Sequence, residues 1–153
     1  VLTLTQALRH EILAHTLAAK PDEACGILAG PPGSHTPTRY IPMRNAAHEP
    51  ARPYLYQFDP AQQLAAYQDM DQRGEDPLAI VHSHTATEAR PSAVDILHAA
   101  DPQTLYLIVS LKDPAAPVLR AWRIHHGAAT EEAITVPPAQ PNTMNQPATA
   151  LDA

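Results

Sequence analysis

Apolar residues along the chain fall into short runs and spaced stripes, separated by proline-rich and glycine-rich breaks. Leu2 and Leu4 predict a short first strand. Over residues 5–19, Leu8, Ile12, Leu13 and Leu17 recur at helical spacing and predict one buried stripe, with Arg9, His10, Glu11 and His15 largely outside it. Lys20-Pro21 ends that helix, because proline blocks its continuation. Cys25-Gly26-Ile27-Leu28-Ala29 predicts a buried strand, and Gly30-Pro31-Pro32-Gly33 a turn. Residues 39–43 predict a second strand, which Pro42 places at a sheet edge. After a polar loop over 45–53, the alternation in Tyr54-Leu55-Tyr56-Gln57-Phe58 predicts another. Asp59-Pro60 starts a helix, with the carboxylate as N-cap and proline at the first helical position. That helix carries Leu64, Tyr67 and Met70 and stops at Gly74. Leu78-Ala79-Ile80-Val81-His82 is apolar on both faces, as a central buried strand must be. Ser92 caps a further helix, and strands are predicted over 104–111, 118–124 and 134–136. From Pro137 onward Pro, Ala, Asn, Gln and Thr dominate, and too little apolar surface is left to offset chain ordering. Residues 1–136 are therefore expected to form one domain, and 137–153 a flexible tail.

Composition narrows the function classes. The length of 153 residues suits a single domain, and an apolar fraction of 44% is enough for a core. Aromatics are only 5% of the chain, so Ala, Leu, Ile and Val must fill most of that core. The formal net charge is -6 and no dense Lys/Arg stripe occurs, which argues against nucleic-acid binding through phosphates. Cys25 is the sole cysteine, which rules out an intrachain disulfide and a Cys-rich zinc finger. Neither a signal-peptide pattern nor an apolar run near the roughly 20 residues of a membrane span is readable. A soluble cytoplasmic protein is the expectation.

The nine histidines matter for where they sit. In His82-Ser83-His84, positions i and i+2 of a strand point to the same side, so both imidazoles can aim at one point. Asp95, in the first turn of the next helix, can fold back and add a carboxylate. Three protein ligands leave the fourth tetrahedral position to water, as catalytic zinc sites do and structural ones do not. Such a site lowers the pKa of water to about 7 and polarises a carbonyl, which suits amide hydrolysis.

The segment H-S-H-T-A-T-E-A-R-P-S-A-V-D fits the pattern His-x-His, seven residues, Ser, two residues, Asp. In this it resembles the JAMM (MPN-plus, Mov34) zinc metalloprotease family, and P-D-E-A-C-G-I-L-A-G resembles the family's glutamate-bearing strand. The resemblance implies a cytidine-deaminase-like α/β fold: one domain, with a mixed, mostly antiparallel, curved β-sheet flanked by helices. It implies one Zn2+ per chain on His82, His84 and Asp95, Glu23 as general base, and Ser92 as a donor to the oxyanion. Y-Q-F-D-P, M-D-Q-R-G-E-D-P and H-S-H-T-A-T-E-A-R-P-S together resemble the bacterial Mec-type branch more narrowly. Many other bacterial members place Pro-x-Gly after the second histidine, where this chain has Thr85-Ala86-Thr87. That branch acts on a ubiquitin-like sulfur-carrier protein ending in Gly-Gly (CysO, similar to ThiS and MoaD). It releases cysteine from the carrier, a step in cysteine biosynthesis. A non-catalytic MPN scaffold, or a RadC-like nucleic-acid-associated protein, are the competing implications. The absence of H-x-E…P-C-x-x-C disfavours a zinc base deaminase.

Each of these residues also has a plainer reading. A bare His-x-His is an ordinary pair at a strand end, Asp95 a helix-dipole carboxylate, Glu23 a surface acid and Ser92 an N-cap. Cys25 is expected to be a small core residue. His10, His15, His98, His125 and His126 lack partners at ligand spacing and are expected at the surface or in packing. Tyr54, Tyr56 and Phe58 are expected in the core. Thr85, Glu88 and Arg90, in the loop between the ligands, are candidates for touching substrate. The oligomeric state stays open, a homodimer included.

Overall fold

Thr5 and Asp59 each start a helix in the way their side chains dictate. The Thr5 hydroxyl accepts from the Leu8 amide at the head of α1 (Gln6–Ala19). The Asp59 carboxylate accepts from the Ala61 and Gln62 amides at the head of α2 (Pro60–Arg73), and Gly74 closes that helix at φ 66°. The computed structural model describes residues 1–140. Its strands are β1 (Leu2–Thr3), β2 (Cys25–Gly30), β3 (Arg39–Met43), β4 (Asp76–His84), β5 (Leu105–Ser110), β6 (Val118–His125), β7 (Ala128–Glu132) and β8 (Ile134–Thr135). A third helix, α3 (Ala93–His98), connects β4 to β5.

Six strands form one sheet in the order β3-β2-β4-β5-β6-β7, and β1 pairs with β8 apart from it. Only β4–β5 is parallel within the six, since α3 and its loops carry the chain back across that step. The mixed, mostly antiparallel sheet flanked by helices is the architecture expected. Pro42 sits on the edge strand β3, where its missing amide costs no ladder bond.

Strand parity divides the core into two layers. Leu28, Ala79, Val81, Leu107 and Val109 pack with Leu8 and Ile12 of α1 on one face. On the other, Cys25, Ile27 and Ala29 meet Ala66 and Met70 of α2, while Tyr106, Ile108, Trp122 and Ile124 enclose Ala89. Gly26 belongs where it is, because a Cβ there would stand 2.5 Å from the Tyr40 ring.

Several expectations are corrected. Residues 54–58 make no strand: the segment joins the sheet through a single bridge, Asn45↔Phe58, and Tyr54 is exposed. The reason is the Asn45 side chain, which takes the Leu55 carbonyl and the Gln57 amide that a neighbouring strand would have used. In α1 the buried position is Thr16 rather than Leu17, and the Thr16 hydroxyl returns to the Leu13 carbonyl at 3.1 Å. In α2, Ala66 and Met70 face the sheet while Leu64 and Tyr67 stay exposed. His15 is a packing residue, as expected, with its Nδ1 2.8 Å from the Tyr40 hydroxyl. Strand β7 has no counterpart among the predicted elements, because A-A-T-E-E at a sheet edge buries no apolar face. The expected tail lies mostly outside the described residues, and 137–140 carry no regular structure. Among the described residues no helix is long and apolar enough to cross a membrane.

Candidate metal centre and active site

Alternation along β4 decides the site. His82 and His84 point to one face at the strand's C-terminal end, and Ser83 points to the other. Ser83 is not idle there. Its hydroxyl accepts from the Ala24 amide at 2.8 Å, and its own amide donates to the Ala24 carbonyl at 3.0 Å. These bonds carry the β2–β4 pairing one residue past Cys25 and bring Glu23 alongside the histidines. Glu23 therefore lies just before β2 and not within it. Its amide donates to the Arg52 carbonyl, and its carbonyl accepts from Asn45.

The third ligand position comes from a helix start. The Ser92 hydroxyl accepts from the Asp95 amide at 3.1 Å, and Asp95 Oδ2 accepts from the Ser92 amide at 2.8 Å, a reciprocal capping box. The same box aims the Asp95 carboxylate at β4. Oδ1 lies 3.2 Å from His82 Nε2 and Oδ2 lies 3.1 Å from His84 Nε2. The two Nε2 atoms are 3.1 Å apart. His82 is fully buried, His84 and Glu23 nearly so.

Burial pushes the Glu23 carboxyl up to about 8, with His84 opposing the shift and Asp95 adding to it. For Asp95, burial is outweighed by bonds from His82 and His84, which hold it well below the usual carboxylate range. Burial lowers His82 despite Asp95. His84 ends above its ordinary value, because Asp95 and the Glu88 carbonyl outweigh burial.

These atoms fit a divalent metal ion. His84 Nδ1–H donates to the Glu88 carbonyl at 2.8 Å, so a neutral His84 presents a lone pair at Nε2. Once both rings are neutral with the proton on Nδ1, the two Nε2 lone pairs and the Asp95 oxygens converge, and a shared cation makes that set favourable. Ligands about 2.0–2.1 Å from a tetrahedral ion stand about 3.3 Å from one another, close to the separations here. His82, His84 and Asp95 are also the one His/Cys/Asp/Glu group among the described residues with metal-ligating geometry.

The loop between the ligands is tied inward at consecutive carbonyls. Ser110 donates to Thr87 at 2.6 Å, His84 to Glu88 and Trp122 Nε1 to Ala89 at 2.9 Å. Thr85 donates to the Pro53 carbonyl at 3.2 Å. Glu88 points outward to Lys112, and Arg90 lies over the Trp122 ring at 5.6 Å. The structure thus brings Glu23, His82, His84, Ser92 and Asp95 together, and gives Thr85, Glu88 and Arg90 contacts of their own within the protein. Cys25 is buried, as expected, and burial raises its thiol to about 12. Ser83, Asn45, Tyr56 and Trp122 are parts of the site that sequence patterns do not single out. Only Ser83 carries a signal, by standing between the two histidines.

The prokaryotic homologues of the JAB domain, as a family model, match residues 5–125. The chain is similar to the CysO-cysteine peptidase of Mycobacterium tuberculosis, 45% identical over 136 residues, covering 89% of this chain and 91% of that protein. It is 34% identical over 113 residues to the desampylase of Haloferax volcanii, covering 71% and 80%. A protein of Desulfitobacterium hafniense with a solution structure superposes with a TM-score of 0.80 at 38% identity, covering 91% and 94%. With its family pattern, its relatives and its His-His-Asp geometry in agreement, the chain belongs to the prokaryotic JAB (JAMM/MPN) metalloprotease family.

Proposed function

We propose that the chain is a zinc peptidase that cuts the bond after the C-terminal glycine of a ubiquitin-like sulfur-carrier protein, releasing cysteine from a CysO-like carrier. The observation that carries the hydrolase reading is the convergence of His82, His84 and Asp95 within 3.1–3.2 Å beside a buried Glu23. The substrate class is supported by similarity to the CysO-cysteine peptidase and the desampylase.

Zinc, when bound, supplies Lewis acidity, lowering the pKa of water to about 7 and polarising the scissile carbonyl. The rest falls to side chains. The Glu23 carboxylate, made more basic by burial, accepts a proton from the attacking water and returns it to the leaving amine. The Ser92 hydroxyl uses an oxygen lone pair for the helix cap, so its hydrogen remains available to the substrate oxygen as negative charge develops. The Asp95 carboxylate stays ionised through the cycle. A glycine before the cut places no Cβ between the carbonyl and these groups. The intact ligand set disfavours a scaffold-only role, and the net charge of -6 disfavours a nucleic-acid role.

Intact-mass analysis of a carrier–cysteine adduct before and after incubation tests the proposal. Loss of one cysteine residue is expected, abolished by chelator and by His84→Ala or Asp95→Ala. Undiminished release by either variant refutes it.

A further inference from the structure

The two histidine rings of the triad are held by different means. His84 is oriented by its bond to the Glu88 carbonyl, the usual way a ligand imidazole is fixed. His82 has no equivalent. Its ring is fully buried and its Nδ1 has no hydrogen-bond partner among the described residues. What lies against it is the Tyr56 ring, with centroids 4.6 Å apart and planes at 27°.

Tyr56 belongs to the irregular segment outside the sheet, so no ladder holds it in place. The Asn45↔Phe58 bridge and the Ala46 amide, which donates to the Gln57 carbonyl at 2.7 Å, fix the end of the segment. One side chain holds the peptides flanking Tyr56. Asn45 Nδ2 donates to the Leu55 carbonyl at 2.9 Å, and Asn45 Oδ1 accepts from the Gln57 amide at 3.2 Å. Those are the peptide groups on either side of Tyr56. The remaining Nδ2 hydrogen goes to the Glu23 carbonyl at 3.0 Å, and Oδ1 also accepts from the Ala47 amide at 3.0 Å. All four hydrogen-bonding positions of the amide are therefore used.

We propose that Asn45 and Tyr56 form one positioning device for the metal centre: Asn45 sets the Tyr56 ring against His82 and, with its other hydrogen, the backbone of Glu23. The stack restricts rotation of the His82 ring, which its orphaned Nδ1 cannot do. A ligand and the carboxylate opposite it are thereby placed by the same amide. Both are positioning residues, acting through His82 and Glu23. The proposal rests on the reading of His82, His84 and Asp95 as zinc ligands.

The test is Zn2+ affinity of the metal-stripped full chain, measured by competition with a chelating dye, alongside its melting temperature. Tyr56→Phe keeps the stack and is expected to bind Zn2+ as the wild type does. Tyr56→Leu is expected to bind about 10- to 100-fold more weakly, the usual loss when the support of a ligand histidine is removed. Asn45→Asp sets a carboxylate oxygen against the Glu23 and Leu55 carbonyls and is expected to weaken binding similarly. In the Co2+-loaded protein, Tyr56→Leu should shift the ligand-field absorption and Tyr56→Phe restore it. Wild-type affinity in Tyr56→Leu overturns the proposal, even if its melting temperature falls, since that marks a purely structural role. Should Asn45→Asp fail to fold, the Phe/Leu pair at Tyr56 still decides. If His84→Ala binds Zn2+ as tightly as the wild type, the ligand reading itself fails and takes the proposal with it.

Discussion

Ser92 and Glu23 show how much one side chain can be asked to do. Ser92 caps α3 and is proposed to donate to the oxyanion, so Ser92→Ala should have two separable effects. Loss of the cap should cost about 0.5–2 kcal/mol of stability in chemical denaturation. Loss of the oxyanion donor should lower kcat by about 10²–10³-fold, well beyond any effect of fraying the helix start. Glu23 offers a pH test in the metal-free protein. Its carboxyl rises from the ordinary 4.5 to about 8 on folding, so the folded state holds its proton more tightly than the unfolded chain. The stability this lends is complete below about 4.5 and is lost as pH climbs through about 8. Wild type should therefore lose stability relative to Glu23→Gln between those values, by about 1.4 kcal/mol for each pH step of one. A stability difference between the two that is flat with pH would show Glu23 to be ionised throughout.

Among the elements, the loop after β4 is the one whose order no local pattern foretells, and side chains from the sheet below settle it. Trp122 reaches from β6 to the Ala89 carbonyl, and Ser110 from β5 to Thr87. Trp122→Phe keeps the ring in the core but leaves the Ala89 carbonyl without its donor. A cost of about 1–3 kcal/mol is expected, with faster amide hydrogen exchange confined to residues 85–91. Uniform loss of protection across the sheet would place the effect in the core instead. The segment 54–58 teaches the converse. Its alternation is genuine, but the Asn45 side chain occupies the positions a ladder would need, so a strand-like sequence becomes the wall of a site. Strand β7 forms without an apolar pattern because β6 offers it an edge.

At the scale of the whole molecule, the proposed metal ligands come from one strand end and one helix start on either side of a single loop, while Glu23 arrives from a different part of the chain. Metal binding should therefore couple to global stability. Zn2+ at about 100 times its Kd should add about 2.7 kcal/mol to unfolding, visible as a raised melting temperature. His84→Ala and Asp95→Ala should show no such rise. Because His84 sits above its ordinary pKa in the metal-free state, protons compete with Zn2+ for it, and affinity should fall as pH drops. A pH-independent affinity would count against His84 as a ligand.

The sequence by itself determined the local parts. Asp59-Pro60 and Gly74 bound a helix through backbone chemistry that needs no neighbour, and period-2 alternation places His82 and His84 on one side of any strand they form. The capping pattern from Ser92 to Asp95 likewise acts within four residues. Tertiary structure alone decided which remote groups meet them. Ser83 draws Ala24 and so Glu23 to the histidines, Asn45 lodges Tyr56 against His82, and Trp122 secures the loop. Those are a few hydrogen bonds and a stack between separate segments of the chain. No periodicity encodes them, because a pattern reports which face a residue occupies and not what another segment brings to that face.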